Sequence, residues 1–317
     1  MQVTVASEYL DKFRDALIGL DVKKGEPILL AVSGGPDSLA MLLLAARLGD
    51  NPVIAATVDH RLRPEAADEA AYVADICKKL DVPHIILAPR HKISGNIQSS
   101  ARDARYALLA AAADEAGCPL IATAHHGDDQ LETILMRLAR GSGIDGLAAI
   151  RHRNGRIIRP LLGFSKSELE KICADAGVEP VRDPSNDNAE FDRVTIRQWL
   201  AQSRHPFNLG RTDRTAHALN EVAEALAWMT DFVAKQRISQ NDMVYQCDAS
   251  GLPRDLKRRL LLLCISKLDP NLQPRGSAID HLLNELNAGQ TAMIGNILCK
   301  GGDIWFFSDA PPRRTEP

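Results

Sequence analysis

The chain has 317 residues, of which 45% are hydrophobic and 25% charged, and its net charge is −3. This composition is typical of a globular protein with room for two domains, and it argues against a disordered chain. No apolar run is long enough to span a membrane. Aromatic residues make up only 4%, so extended base-stacking surfaces are not expected. Any nucleic-acid site would have to be a local basic patch.

The cysteines are scattered along the chain, and none belongs to a Cys-x-x-Cys pair. We therefore expect reduced, mostly buried thiols and a cytoplasmic protein. The first 19 residues mix charged and apolar side chains and lack the pattern of a signal peptide. Tyr9, Phe13 and Leu17 follow the spacing of one helix face, which predicts an amphipathic helix before the first strand.

An apolar run at residues 29–32 predicts a buried parallel strand, and the apolar run 39–44 predicts a helix. The loop between them can present backbone amides and a helix N-terminus to a phosphate. A glycine pair allows this close approach, and the Walker lysine is missing, so Asp37 is a candidate Mg²⁺ ligand. An ordinary strand-to-helix turn is the alternative. The candidate ATP-binding residues are Ser33, Gly34, Gly35, Pro36, Asp37 and Ser38.

The next strands are predicted at residues 53–58 and 85–87. The carboxyl end of the first of them leads to Asp59, His60 and Arg63, where ligands bind in doubly wound sheets. A long helix at 97–116 carries Arg102 and Arg105 on one face. These five residues are candidates for adenosine or phosphate contacts. A loop histidine without a role and solvated helix charges are the alternatives.

A fourth strand is predicted at residues 120–124, and it leads into a second polar constellation at the start of a helix. His125, Asp129 and Glu132 would share a helix face, which could hold a divalent metal. Acidic residues at a helix N-terminus are also stabilising without any ligand. Strands alternating with helices predict a doubly wound α/β fold with a five-stranded parallel sheet. Its switch point would bring this helix start beside the glycine loop.

The densest basic stretch carries Arg151, Arg153 and Arg156 around an Asn-Gly turn. A hairpin of this kind could hold an RNA backbone, or it could protect a sheet edge by charge. The residue pair Ser165 and Glu168 predicts a capped helix start.

The pattern breaks near residue 209, so we predict a catalytic domain at 1–209 and a smaller domain at 210–317. The second domain is expected to be mainly helical, with short strands near its end. It carries a basic patch, which consists of Lys257, Arg258 and Arg259.

The glycine loop resembles the PP-loop of N-type ATP pyrophosphatases, which cleave ATP between the α and β phosphates. The whole first domain resembles the tRNA(Ile)-lysidine synthase family, in its shorter form without an additional C-terminal module. The strings that carry the resemblance are residues 33–38, 58–64, 101–106, 125–133 with 140–143, 159–162, and 183–186 with Arg193 and Arg197. The second domain matches more loosely through residues 252–260 and 275–277. Arg61 and Val194 stand where the family usually has glycine and asparagine.

The resemblance implies an ATP-dependent ligase that adenylates the C2 oxygen of the wobble cytidine in the CAU anticodon of tRNA(Ile). Attack by L-lysine then forms lysidine, which changes the codon that is read from AUG to AUA. ATP as a substrate, Mg²⁺, tRNA(Ile) and L-lysine are the implied ligands, and a homodimer is compatible with the sequence. The implied catalytic or lysine-binding residues are His126, Asp128, Asp129 and Glu132. The implied tRNA-binding residues are Arg151, Arg153, Arg156, Arg193, Arg197, Lys257, Arg258 and Arg259.

Three other functions share some of these features. A tRNA thiolation enzyme would have a PP-loop, but it typically also has paired cysteines for sulfur or cluster handling. A small-molecule amide ligase would not need the basic patch of the second domain. A non-catalytic RNA-binding module would not need both the acidic and the glycine constellations.

Overall fold

The computed structural model describes residues 4–59, 65–89, 97–181, 192–274 and 276–310. The predicted contacts at His60 and Arg63 and the motif at 183–186 lie outside these residues. The chain divides into two compact units, Met1–Asn220 and Glu221–Pro317. No helix among the described residues is long and apolar enough to cross a membrane.

The first unit alternates strands with helices, as the sequence predicts. Its elements up to the fourth strand are α1 (Ser7–Gly19), β1 (Ile28–Ala31), α2 (Pro36–Leu48), β2 (Val53–Val58), α3 (Glu65–Lys79), β3 (His84–Leu87), α4 (Ile97–Glu115) and β4 (Leu120–Ala122). The elements that follow are α5 (Gly127–Ala139), α6 (Ile144–Leu147), β5 (Arg153–Asn154), β6 (Ile157–Ile158), α7 (Lys166–Asp175), α8 (Asp192–Gln202) and the start of α9 (Leu209–Arg237). The predicted domain boundary falls where α9 begins, and it stays a prediction.

Six strands of this unit form one sheet in the order β3-β2-β1-β4-β6-β5. The first five are parallel, which confirms the predicted doubly wound fold, and β5 adds a short antiparallel edge. Strand β1 is central and buried on both faces. Ile28 and Leu30 pack in the core formed with α1, α2 and α7, whereas Leu29 packs in the core beneath α4. Strands β1, β2 and β4 therefore alternate between two helical layers.

The predicted tight turn in the basic stretch is confirmed. Arg153 pairs with Ile158 and Asn154 with Ile157, and Gly155 has a φ of +58° at the tip. Gly155, the first of the two turn residues, supplies the positive φ that the turn requires, and Asn154 stays in the strand, paired with Ile157. The turn returns the chain so that β6 pairs in parallel with β4.

The second unit contains more sheet than the sequence predicts. Strands β7 (Ile238–Asn241), β8 (Val244–Asp248), β9 (Thr291–Ile294), β10 (Ile297–Lys300) and β11 (Ile304–Asp309) form an antiparallel sheet in the order β7-β8-β11-β10-β9. Helices α10 (Arg254–Leu268) and α11 (Gly276–Asn287) share a core with this sheet. Trp305 and Phe307 are fully buried at alternate positions of β11. This period of two is the signal of a half-buried strand.

The stability of the second unit depends on the absence of a side chain at Gly301. A Cβ at this position would overlap the backbone carbonyl of Leu286, and backbone cannot rotate out of the way as a side chain can. We expect Gly301→Ala to lower the free energy of unfolding by about 1–3 kcal/mol, measured by urea denaturation. Gly276→Ala is the matched control, since its Cβ would meet the end of the flexible Arg258 side chain at 3.5 Å. Equal midpoints for the two variants would contradict this account.

Candidate active site

The glycine loop is held in a fixed shape by its own two serines. The Ser33 amide donates to Ser38 Oγ at 3.0 Å, and Ser38 Oγ donates to the Gly35 carbonyl at 3.1 Å. Gly35 is the extended N-cap of α2, and Pro36 occupies its first turn. Proline suits this position because its missing N–H needs no partner there. The amide end of α2 therefore faces outward from the carboxyl end of β1, as an anion site requires.

Gly34 occupies a position that a residue with a side chain would strain. Its φ is +87°, and a Cβ would contact Val181 and Val73 at 3.4 Å each. The Gly34 carbonyl also accepts a hydrogen bond from the Val181 amide at 2.9 Å. The loop is thus supported from α3 and from the segment after α7.

The start of α5 faces the same crevice, which is lined by both segments. Gly127 is the first residue of this helix. Its amide donates to the Phe164 carbonyl at 2.8 Å, and a Cβ at this position would come within 3.0 Å of that oxygen. His126 precedes the helix in an extended conformation, with φ −125° and ψ 179°. His125 therefore lies outside the helix, so it does not share a helix face with Asp129 and Glu132. No metal-binding group of three or more His, Cys, Asp or Glu side chains occurs among the described residues.

His126 connects the two constellations. Its Nε2 lies 3.6 Å from an oxygen of Asp37 and 3.6 Å from an oxygen of Asp129, and its Nδ1 lies 3.5 Å from Asp128. Burial by itself lowers the pKa of His126, but the three carboxylates outweigh it and raise the pKa above its usual value. His126 therefore carries positive charge more readily than a free histidine does.

Asp37 has one carboxylate oxygen, Oδ1, that is buried and lacks a hydrogen-bond partner among the described residues. Burial raises the pKa of Asp37, and the neighbouring His126 opposes that shift. A carboxylate oxygen without a partner beside the glycine loop fits Mg²⁺, which usually takes one or two carboxylates together with substrate phosphates.

Two arginines of α8 cover the acidic face of α5. Arg197 donates to both oxygens of Glu132, at 2.7 and 3.0 Å. Arg193 bridges Glu132 at 2.8 Å and Asp129 at 2.5 Å. Glu132 is only 3% exposed, and a buried carboxylate needs such hydrogen-bonded cations to compensate for its lost hydration. The ion pairs therefore position α8 on α5. They involve Arg193 and Arg197, the two arginines of α8 for which the family resemblance implies tRNA binding.

His125, which precedes α5, contacts Thr123 Oγ1 through its Nδ1 at 3.1 Å. Burial lowers the pKa of His125 to about 4, so this ring stays neutral at pH 7. Arg105 lines the crevice near it, and Arg102 lies one turn earlier on α4. Asp59 directly follows the carboxyl end of β2.

The other residues predicted to bind tRNA lie on two surfaces. Arg151 is exposed, whereas Arg153 donates to the Leu20 carbonyl and Arg156 to Asp114 and the Cys118 carbonyl. The hairpin arginines thus also fasten the hairpin to the first unit. In the second unit, the basic patch makes hydrogen bonds along its own helix and to α11. Its pairs are Lys257 with Asn287, Arg258 with Asp280, and Arg259 with Asp255.

Known proteins resemble this chain over most of its length. The family model of the PP-loop domain matches residues 1–204. A curated tRNA(Ile)-lysidine synthase of Zymomonas mobilis subsp. mobilis is 44% identical, over 90% of this chain and 89% of its own. The chain belongs to the tRNA(Ile)-lysidine synthase family. Another member, from Novosphingobium aromaticivorans, is 38% identical over 91% of this chain and 90% of its own.

Among solved structures, the U34-tRNA thiolase NcsA of Methanococcus maripaludis, which carries a [4Fe-4S] cluster, aligns with a TM-score of 0.57 at 21% identity. The alignment covers 68% of this chain and 79% of that one. At this identity the likeness concerns the fold alone, and it agrees with the PP-loop architecture described above.

The ion pairs between α5 and α8 of this chain were not predicted from the sequence. The available signal was the spacing of Arg193 and Arg197, which places two guanidiniums on one helix face. Their partners lie 61 to 65 residues away, and no local pattern indicates such a pairing.

The pairing of Glu132 with Arg197 can be measured by a double-mutant cycle. We expect a coupling free energy of about 1–3 kcal/mol between Glu132→Gln and Arg197→Gln, because loss of Arg197 leaves the buried Glu132 with Arg193 as its remaining guanidinium partner. Urea denaturation of the four proteins gives the value. Lys171 and Asp175, an exposed pair on α7, provide the control cycle, with a coupling below about 0.5 kcal/mol. Similar coupling in both cycles would show that Glu132 does not hold α8.

Proposed function

We propose that this chain ligates L-lysine to C2 of the wobble cytidine in the CAU anticodon of tRNA(Ile), using ATP and forming lysidine. The observation that carries the proposal is the approach of His126 Nε2 to Asp37 of the glycine loop and to Asp129 of α5. The phosphate cradle and the acidic helix start therefore act on one substrate complex. Family membership supports the same reaction, and the cytoplasm is the proposed compartment.

The first step adenylates the C2 oxygen of the cytidine and releases pyrophosphate. The loop amides and the N-terminus of α2 bind the departing phosphates and stabilise the charge that develops on them. Mg²⁺ held by Asp37 would neutralise part of this charge. Ser33 and Ser38 keep the cradle rigid before ATP arrives, so little reorganisation is needed during the reaction.

The second step needs a neutral lysine amine. The pKa of a free lysine side chain is near 10.4, so deprotonation at pH 7 costs about 4–5 kcal/mol. Carboxylates beside the amine can bind the ammonium form and accept its proton. We assign this task to Asp129, with Asp128 beside it and His126 as a relay. Glu132 binds two guanidiniums, and so we propose that it positions the site rather than binding lysine.

Specificity requires that the cytidine be exposed from the anticodon loop and read at its edges. We propose that Arg151, Arg153 and Arg156 contact the tRNA backbone from the hairpin, and that Lys257, Arg258 and Arg259 do so from the second unit. Arg193 and Arg197 would reach RNA only from the exposed parts of their side chains, which are 39% and 38% exposed.

Sulfur transfer is the second candidate, because it also uses a PP-loop. The six cysteines are all buried and unpaired, and burial raises the pKa of Cys77 to about 11 and that of Cys173 to about 12. A thiol carries sulfur as an accessible thiolate, so these cysteines favour the ligase.

Purified protein is expected to incorporate labelled lysine into an unmodified tRNA(Ile) transcript with a CAU anticodon, in an ATP-dependent reaction that releases AMP. A tRNA(Met) transcript with the same anticodon is the matched control and should accept at least about 100-fold less lysine, because discrimination by contacts outside the anticodon is worth a few kcal/mol. Liquid scintillation counting of the precipitated tRNA measures the lysine incorporated into each transcript. If the protein binds ATP but incorporates lysine into neither tRNA, the proposal is overturned.

Asp129→Asn should separate the two steps. We expect lysine transfer from the adenylated tRNA to fall about 100-fold, whereas ATP–pyrophosphate exchange falls less than about fivefold, because a base acts only in the second step. Single-turnover quench measurements give the transfer rate. Asp15→Asn, an exposed change on α1, is the control. If exchange and transfer fall equally, Asp129 does not serve lysine.

A further inference from the structure

A buried glutamine connects the start of α5 to the segment that leads into the basic hairpin. Gln130 is only 1% exposed. Its amide nitrogen donates to the Ile150 carbonyl at 3.0 Å, and its amide oxygen accepts from the Ile150 backbone amide at 2.8 Å. A glutamine side chain offers both a donor and an acceptor. One side chain therefore satisfies both backbone groups of Ile150, as a neighbouring strand would.

The segment that Gln130 holds has a strained backbone. Ile150 lies between α6 and β5, outside any helix or strand. Ala149, just before it, has a φ of +51°, a left-handed conformation that residues with a side chain rarely adopt. Such a conformation persists only where surrounding contacts fix it, and it is typical of functional segments. The two hydrogen bonds of Gln130 supply such contacts at the next residue.

The two residues that follow Ile150 are fastened to other elements. Arg159 is only 7% exposed, and its guanidinium donates to the Arg151 carbonyl at 2.6 Å. The Arg159 backbone amide donates to the His152 carbonyl at 2.9 Å. The His152 ring in turn lies 2.9 Å from a carboxylate oxygen of Asp213, in the part of α9 that belongs to the first unit. Of these contacts, the pair made by Gln130 is the one that comes from α5.

We propose that Gln130 is a positioning residue, which sets the basic hairpin in place relative to the acidic start of α5. Gln130 directly follows Asp129, and Ile150 directly precedes Arg151, the first arginine of the hairpin. One side chain thus joins the neighbour of the residue assigned to lysine to the neighbour of a residue assigned to tRNA. A tRNA held by the hairpin then presents its cytidine at a fixed place beside Asp129. A misplacement of about 1 Å can cost about a hundredfold in rate. The inference rests on the proposed function for its substrates.

Trypsin cleavage tests the fastening without any substrate. Gln130→Met nearly keeps the size of the side chain but removes both hydrogen bonds, and Gln130→Asn keeps an amide on a side chain one methylene shorter. We expect cleavage after Arg151 and Arg153, identified by mass spectrometry, to be about tenfold faster in both variants, because cleavage follows the population of the opened segment. The matched control is Ile28→Val, which removes a buried methylene at the end of β1 away from the glycine loop. It should change cleavage at these sites less than about twofold.

Steady-state kinetics of the same variants tests the positioning. We expect Gln130→Met to raise the KM for tRNA(Ile) and to lower kcat for lysine transfer about tenfold each, because the hairpin no longer holds the cytidine in place. ATP affinity, measured by titration calorimetry, should stay within about twofold of the wild-type value. A role in stability alone would lower the midpoint of a thermal melt without changing KM or kcat, as we expect for Ile28→Val.

Unchanged cleavage after Arg151 and Arg153 in both Gln130 variants would overturn the proposal. Faster cleavage with unchanged KM and kcat for tRNA(Ile) would overturn it as well, since the fastening would then not serve the substrate. If the wild-type protein incorporates no lysine, the proposed reaction is refuted. The cleavage pattern, together with tRNA(Ile) affinity measured by filter binding, still decides the role of Gln130 in that case.

Discussion

The parallel pairing of β1 with β4 is the constraint on which the site depends. Ile28 is level with Leu120 and Leu30 with Ala122, so both strands end at the same edge of the sheet. The chain leaving β1 forms the glycine loop, and the chain leaving β4 forms the His126 turn. These two segments are about 90 residues apart in sequence, yet adjacent parallel strands lie only about 5 Å apart. Ligands of α/β sheets bind at such an edge.

Charge balance then decides what each side chain at that edge can do. Glu132 is buried and is neutralised by two arginines of α8, and His126 is buried between carboxylates. Removal of one of these charges would leave the buried Glu132 or His126 with fewer compensating partners. The acidic and basic residues of the crevice therefore form one electrostatic unit.

The fold could be predicted largely from the sequence, because its signals are local. The apolar run before Ser33 and the one after Pro36 specify a buried strand and a buried helix, and Asn154 with Gly155 specifies a turn. The two-layer core follows from strands that are apolar on both faces. The antiparallel sheet of the second unit was predicted only in part, because strands such as β7 are short and mostly exposed.

The candidate site was harder to predict because its contacts are distant in sequence. The glycine loop and the acidic helix start could be found from their residue types, and β1–β4 pairing explains why they meet. The placement of His125 was wrong, since the helix begins two residues later, where Gly127 packs against the Phe164 carbonyl. The pairing of Glu132 with Arg197 and the burial of Arg159 depend on how α8 and β6 pack. Neither position carries a periodic pattern that would indicate this.

The central claim is that one crevice activates the cytidine through its own C2 oxygen and then lets lysine displace AMP. An isotope measurement tests it most directly: tRNA(Ile) carrying ¹⁸O at C2 of the wobble cytidine is converted with ATP and lysine, and the AMP is analysed by mass spectrometry. The account predicts that the label appears in AMP, because the oxygen that accepts the adenylyl group leaves with it. Lysine-modified tRNA formed together with unlabelled AMP would contradict the account.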